Sequence, residues 1–432
     1  MKEFEKIIGY SSIKNELEQI ADTLKNKEAY SKLGVTSPRG LLLHGEPGVG
    51  KTLMAKSLAK ASGRKVFTCR KNKPNGDFVK HIKKIFNEAV ENAPSIVFLD
   101  DMDKFANGDE RHRDAEEYVT VQSCIDEIKG KEVFVLATAN NIRTLPFSLV
   151  RAGRFDRVIE VDAPVGEDAV RIIEHYLSKK KFVSEMNVEF IAKVLNGNSC
   201  AELETVINEA GLYAGYERSE SITMNHFIKA CMKTIFNIND DYSNKDVDYC
   251  NKLDDGSCIT TQIIFHEAGH AVVSEVLCPN SVTVVSISGN SVGKSGLTAY
   301  YRNPEISHLT QKKCNAIGSL AGIAALEQKF GIVDCGASKD INTAYNTLEG
   351  LVEDECVFGY NYYSNGFQDS EALKTRREHI IHAELERYYR KAKEILVNNF
   401  DFFEAVAHAL AEKKVLTGMD IQKIKSEFNI KK

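Results

Sequence analysis

Leu41-Leu42-Leu43-His44-Gly45-Glu46-Pro47-Gly48-Val49-Gly50-Lys51-Thr52 passes from an apolar strand through a glycine-rich turn into a helical run, Leu53 to Ala61. A phosphate-binding loop requires that order. Glycines let successive backbone N–H groups curl around phosphates, a lysine reaches the outer phosphates, and a threonine hydroxyl ligates magnesium. The stretch predicts an α/β P-loop domain that holds ATP and Mg²⁺ with Gly45, Gly48, Gly50, Lys51 and Thr52.

Working outward, Ser95-Ile-Val-Phe-Leu-Asp100-Asp101 is a second apolar strand ending in carboxylates. Asp100 is placed to hold the magnesium, and Asp101 to polarise the attacking water. A third strand, Val133 to Asn140, ends in an amide that can orient that water. Arg154 and Arg157 follow a glycine turn and are read as arginine fingers that complete a neighbouring subunit's ATP site. Fingers acting in trans imply a ring.

The second half carries different chemistry. His266-Glu267-Ala268-Gly269-His270 places two imidazoles one helical turn apart, able to share one zinc ion. Glu267 sits beside them as a general base for the water that the metal activates. Zinc needs a third protein ligand, and no third histidine follows at short range. Two acidic candidates lie downstream: Glu327, on an apolar helical run, and Asp340, opening a helix after Gly336-Ala337-Ser338-Lys339. An aspartate in that position also reads as an ordinary first-turn charge, and spacing alone leaves the two equal.

A chain of 432 residues with a net charge of −5 is too long for one core and calls for neither nucleic acid nor an anionic membrane surface as partner. No apolar run approaches the roughly 20 residues of a membrane helix, so no direct membrane anchor is expected. The N-terminal residues carry no signal sequence. The 10 cysteines show no CxxC pairs, which fits reduced thiols and a cytoplasmic protein. The expected division is an α/β nucleotide domain over 1–164, a helical lid over 165–237, a polar acidic linker over 238–257, and a mainly helical metallopeptidase domain over 258–432. Strand-like runs at Val282 to Ser288 and Gly296 to Tyr301 interrupt the last. An edge there could take an extended substrate by strand addition.

Taken together, Phe4-Glu-Lys-Ile-Ile-Gly9-Tyr10, the P-loop, Asp100-Asp101, Asn140, Arg154-Phe-Asp-Arg157 and Gly197-Asn-Ser-Cys-Ala201-Glu-Leu resemble the AAA+ module of the FtsH family of ATP-dependent zinc proteases. His266 to His270 followed by Gly336 to Asp340 is similar to that family's peptidase domain. The resemblance covers nearly the whole chain. It implies His266, His270 and Asp340 as zinc ligands, Glu267 as general base, Glu327 as an acidic neighbour of the ligands, and Ala201 where the lid meets nucleotide. It also implies a homohexamer acting on polypeptides.

Two departures bear on the motor. Asp101 stands where the family usually has glutamate, one methylene and about 1.5 Å shorter in reach, which predicts either slow hydrolysis or a water placed by local shifts. The substrate-gripping loop aligns with Pro74-Asn75-Gly76 and has no aromatic. Phe78 stands nearby, yet its spacing with Ile82, Ile85 and Phe86 fits the buried face of a helix. Two alternatives follow: a zinc peptidase with a weak or switch-like ATPase, and a partner subunit entering mixed rings with a membrane-bound homologue.

Overall fold

The computed structural model describes residues 2–72, 74–106, 115–151, 153–238, 256–288, 296–301, 307–332, 337–359 and 371–431. Most of the expected linker, at 239–255, lies outside them, as do Ala152 and Gly336. The chain forms two compact units, Met1–Met224 and Asn225–Lys432.

In the first unit, α1 (Ser11–Lys25) and α2 (Lys27–Ser31) precede β1 (Gly40–His44) and α3 (Lys51–Ser62). Then come β2 (Lys65–Cys69), α4 (Asn75–Glu91), β3 (Ser95–Leu99), α5 (Glu116–Glu127), β4 (Val133–Ala139) and β5 (Arg157–Glu160). The sheet order is β2-β3-β4-β1-β5, with every pairing parallel. Strands β3 and β4 are buried along their whole length, and β1 along all but its last residue. Helices therefore cover both faces, as parallel sheets require. The C-terminal ends of β1, β3 and β4 gather Gly45, Asp100 and Asn140 along one edge, where α/β sheets bind ligands.

Helices α6 (Gly166–Ser178), α7 (Val188–Val194) and α8 (Cys200–Tyr216) complete this unit. Ser199 and Glu202 form a capping box at the start of α8. Phe78 is fully buried on α4, edge-on to Phe105 at 4.9 Å. It belongs to the core with Ile82 and Phe86 and presents no gripping surface.

Helix α9 (Met224–Thr234) begins at the division between units. The second unit is built on α10 (Ile259–Leu277), which is apolar or buried on almost every face. A helix of that kind must be enclosed by others. It is joined by β6 (Val282–Ser286), β7 (Leu297–Tyr300), α11 (His308–Ser319), α12 (Ala321–Phe330) and α13 (Ser338–Glu353). The unit ends in α14 (Glu371–Asn398), α15 (Phe400–Lys413), β8 (Val415–Thr417) and α16 (Gly418–Lys425). Helices α11, α12, α14 and α15 all pack on α10. The strands form an antiparallel sheet ordered β7-β6-β8. Among the described residues, no helix is long and apolar enough to cross a membrane.

One buried charge ties α16 to α10. Glu275 is fully buried, and its Oε1 accepts from Lys425 Nζ at 3.0 Å, Gln422 Nε2 at 2.6 Å and the Asn280 backbone N–H at 2.8 Å. Removing one partner of a buried pair leaves an uncompensated charge, and Glu275 Oε2 already lacks a partner. Lys425→Met is expected to destabilise the unit by about 3 kcal/mol. The chain has no tryptophan, so urea unfolding followed by far-ultraviolet circular dichroism is the appropriate measurement.

Candidate active sites

Helix α10 brings His266 and His270 onto one face, and the first turn of α13 brings Asp340 to meet them. His266 Nε2 lies 3.1 Å from Asp340 Oδ2 and 3.0 Å from His270 Nε2, and His270 Nε2 lies 3.4 Å from Asp340 Oδ2. Among the described residues, these three form the one cluster of histidine, cysteine or carboxylate groups compact enough to hold a metal ion. Zinc with ligands at about 2.0–2.1 Å in tetrahedral array sets its ligand atoms about 3.3 Å apart. The observed separations match that edge length, so the donor set fits zinc. Glu327, left equal with Asp340 by spacing, is turned elsewhere. Its carboxylate accepts from Tyr389 and from Lys393 Nζ at 3.0 Å.

The orientation of the ligands is set by neighbours that no motif reveals. His270 Nδ1–H donates to the Gly318 carbonyl at 2.7 Å, which fixes the tautomer and frees Nε2 for a metal. Helix α12 approaches α10 almost backbone to backbone: a Cβ on Gly269 would stand 2.5 Å from Ala325 Cβ and 2.7 Å from Ala321 O. The same approach lays the His266 ring on Gly322, where a Cβ would lie 2.5 Å from the imidazole. Gly322→Ala is therefore expected to push the ring off axis and weaken zinc affinity about 10- to 100-fold, the range for groups that orient a ligand. Competition with a chromophoric chelator measures it, and an unchanged dichroism spectrum shows the helices intact.

Glu267 is buried, and its Oε2 accepts from Thr298 Oγ1 at 2.7 Å. Burial pushes its carboxyl above the ordinary range, while His270, His266 and Thr298 pull it back. A raised carboxyl beside a metal site suits a group that must take and return a proton. Gly296, with φ +104°, lies so close that a Cβ there would stand 2.4 Å from Glu267 Oε1. Strand β7 thus crosses directly over Glu267. For Asp340, burial raises the carboxyl, but the His266 and His270 imidazoles beside it outweigh that and hold it well below the usual range.

The nucleotide site is built on left-handed glycines at φ +144° (Gly45), +83° (Gly48) and +100° (Gly50). Gly45 and Gly48 could not carry a side chain: their Cβ atoms would meet Val161 O at 2.0 Å and Ala201 Cβ at 2.9 Å. At Gly50 the space is open, the form of a phosphate cradle. Lys51 Nζ donates to the carbonyls of Gly45 and Glu46, each at 2.7 Å. Thr52 Oγ1 donates to Asp100 Oδ1 at 3.3 Å, so the two expected magnesium ligands are adjacent. Thr138, which the motif reading passed over, donates to the same oxygen at 2.9 Å and accepts from the Asp101 N–H at 3.0 Å. The Asn140 N–H donates to Asp103 at 3.0 Å. The Ala201 N–H donates to the Gly48 carbonyl at 3.1 Å, so α8 touches the P-loop itself.

The two arginines differ. Arg154 is nearly buried, and its guanidinium donates to Asp126 Oδ2 at 2.8 Å and to Gln122 Oε1 at 3.2 Å in its own subunit. Arg157 has a side chain 54% exposed, with Glu16 at 4.0 Å.

Residues 41–163 match the ATPase family associated with various cellular activities (AAA), and residues 259–424 match peptidase family M41. The ATP-dependent zinc metalloprotease FtsH 1 of Alkaliphilus metalliredigens is 30% identical over 98% of this chain and 74% of its own length. The protein of that name from Caldicellulosiruptor bescii is also 30% identical, over 98% of this chain and 71% of its own. Its counterpart in Helicobacter pylori is 28% identical over 99% of this chain and 71% of its own.

Proposed function

The chain belongs to the FtsH family of ATP-dependent zinc metalloproteases, and from that premise we propose how its residues divide the work. It is an ATP-dependent zinc metalloendopeptidase that uses Zn²⁺ and ATP with Mg²⁺. In our reading His266, His270 and Asp340 hold the zinc and Glu267 is the general base. The observation that carries it is the convergence of three ligand atoms within 4.8 Å of one another beside one buried carboxylate.

Bound zinc supplies Lewis-acid polarisation of the scissile carbonyl and of the attacking water. Glu267 takes the proton of that water and returns it to the leaving amine, with Thr298 holding its carboxylate in place. An extended polypeptide added to the outer edge of β7 would lie across Glu267, since Thr298 and Gly296 of that segment already touch it.

In the nucleotide site Gly45, Gly48, Gly50 and Lys51 bind the phosphates, and Thr52 and Asp100 take the magnesium. Asp101 and Asn140 position the water, and Ala201 carries the bound state to the lid. Arg157, and Arg154 once freed from Asp126, complete the neighbouring site. The assembly is a homohexamer with the four-part division 1–164, 165–237, 238–257 and 258–432. It acts on polypeptides in the cytoplasm, which it unfolds and feeds to the peptidase. A mixed ring with a membrane-bound homologue is the alternative assembly.

The test is degradation of one substrate in folded and unfolded forms. Cleavage that needs zinc in both cases, and ATP for the folded form, supports the reading. Full cleavage after zinc is chelated would overturn it. The short Asp101 favours a second reading, a peptidase with a slow or switch-like ATPase. ATP turnover in Asp101→Glu distinguishes it, because a large gain marks a weakened motor.

A further inference from the structure

A cavity of about 410 Å³ opens between α11, α13 and the end of β7, and Tyr300, Gln311, Lys312, Asn315, Asn346 and Thr347 are among its lining residues. Each of its three walls also carries part of the zinc site. Thr298, two residues before Tyr300 on β7, holds Glu267. Gly318, one turn beyond Asn315 on α11, accepts from His270. Asp340 precedes Thr347 on α13 by two helical turns along one face, about 10 Å. The cavity therefore begins beside the metal ligands and runs away from them, within reach of a substrate side chain one or two residues from the scissile bond.

The lining is polar, and its charges are already matched. Gln311 is only 6% exposed; its Nε2 donates to Asn315 Oδ1 at 2.9 Å, while its Oε1 meets no donor among the described residues. Thr347 Oγ1 donates to the Thr343 carbonyl at 2.7 Å and so keeps its lone pairs for an incoming donor. The Lys312 ammonium is bound to Glu355, and His308 Nε2 lies 4.0 Å from the same carboxylate oxygen. An apolar side chain in the cavity would leave the Gln311 oxygen unsatisfied, at a cost in affinity. A charged one would give up water for a wall with no spare counter-charge. A carboxamide is neutral, brings two N–H donors for Gln311 and Thr347, and offers an oxygen to the Asn346 amide. We propose that this cavity is the subsite that recognises a glutamine or asparagine side chain beside the bond to be cut, with Gln311 and Thr347 as its specificity-determining residues.

The inference deepens the peptidase reading and rests on it. It is tested with the full chain, zinc and ATP, on unstructured peptides cut at one bond, in which each of the two residues on either side of that bond is set in turn to Gln, Leu, Glu or Lys. At one of these positions kcat/KM is expected to be about tenfold higher for Gln than for Leu, Glu or Lys. In Gln311→Leu the Gln-to-Leu ratio at that position should fall to within about twofold of one. Thr347→Val, with the same expected fall, decides the matter should Gln311→Leu lose its zinc. Equal rates at every position, or a preference for Leu or for a charged residue, overturn the polar subsite. A Gln preference that persists in both variants overturns its assignment to this cavity. Zinc-dependent cleavage of none of the peptides overturns instead the peptidase reading.

Discussion

Glu267→Gln is expected to lower peptide-bond hydrolysis by about 10²- to 10⁴-fold, the contribution of a positioned general base. Glutamine keeps the volume of the side chain and an amide oxygen to accept from Thr298, so α10 and β7 stay packed. What it removes is the one charged oxygen pair buried between the metal ligands and β7. Zinc content should be unchanged, because His266, His270 and Asp340 keep their positions, and ATP turnover should be unchanged as well. The measurement is cleavage of an unstructured peptide at saturating zinc. Hydrolysis within about tenfold of the wild type would assign the base to another group.

Lys51→Ala is expected to act on the other half of the reaction. The Lys51 ammonium is nearly buried between the carbonyls of Gly45 and Glu46. Burial is the main influence on it and shifts its pKa downward; Asp103 and Asp101 oppose the shift. A preorganised cation at a transferring phosphate contributes on the order of 10²-fold or more, and ATP turnover should fall by that much. Degradation of a folded substrate should stop with it. A short peptide that needs no unfolding should still be cut at close to the wild-type rate, because nothing in the zinc site depends on Lys51. Loss of peptide cleavage too would mean that nucleotide binding itself organises the peptidase, and would favour the switch-like reading.

The P-loop and the zinc pair were legible because both are local. Gly45 to Thr52 and His266 to His270 each place their chemistry on one strand-turn-helix or one helical turn, so spacing states the geometry. Asp340 was not legible in that way. It lies 74 residues from His266, and an aspartate in a first helical turn looks the same whether it faces a metal or solvent. Only the resemblance chose it over Glu327, which the structure turns to Tyr389 and Lys393. Phe78 was legible from periodicity as core. Residues that act through backbone contacts stayed hidden. Gly318 contributes a carbonyl, which every residue has, and Gly322 contributes the lack of a side chain. Arg154 read as an outward finger because sequence shows charge without burial, and its bonds to Asp126 and Gln122 come from a helix 28 and 32 residues away.

The ion pair between Glu275 and Lys425 orders events in time. Ribosomes deliver residues in sequence, and Glu275 waits 150 residues for its cation. Until then α10 carries an uncompensated carboxylate on the turn just past His270, and full enclosure of that helix is costly. Closure of this unit around α10 is therefore expected only after Lys425 has been made.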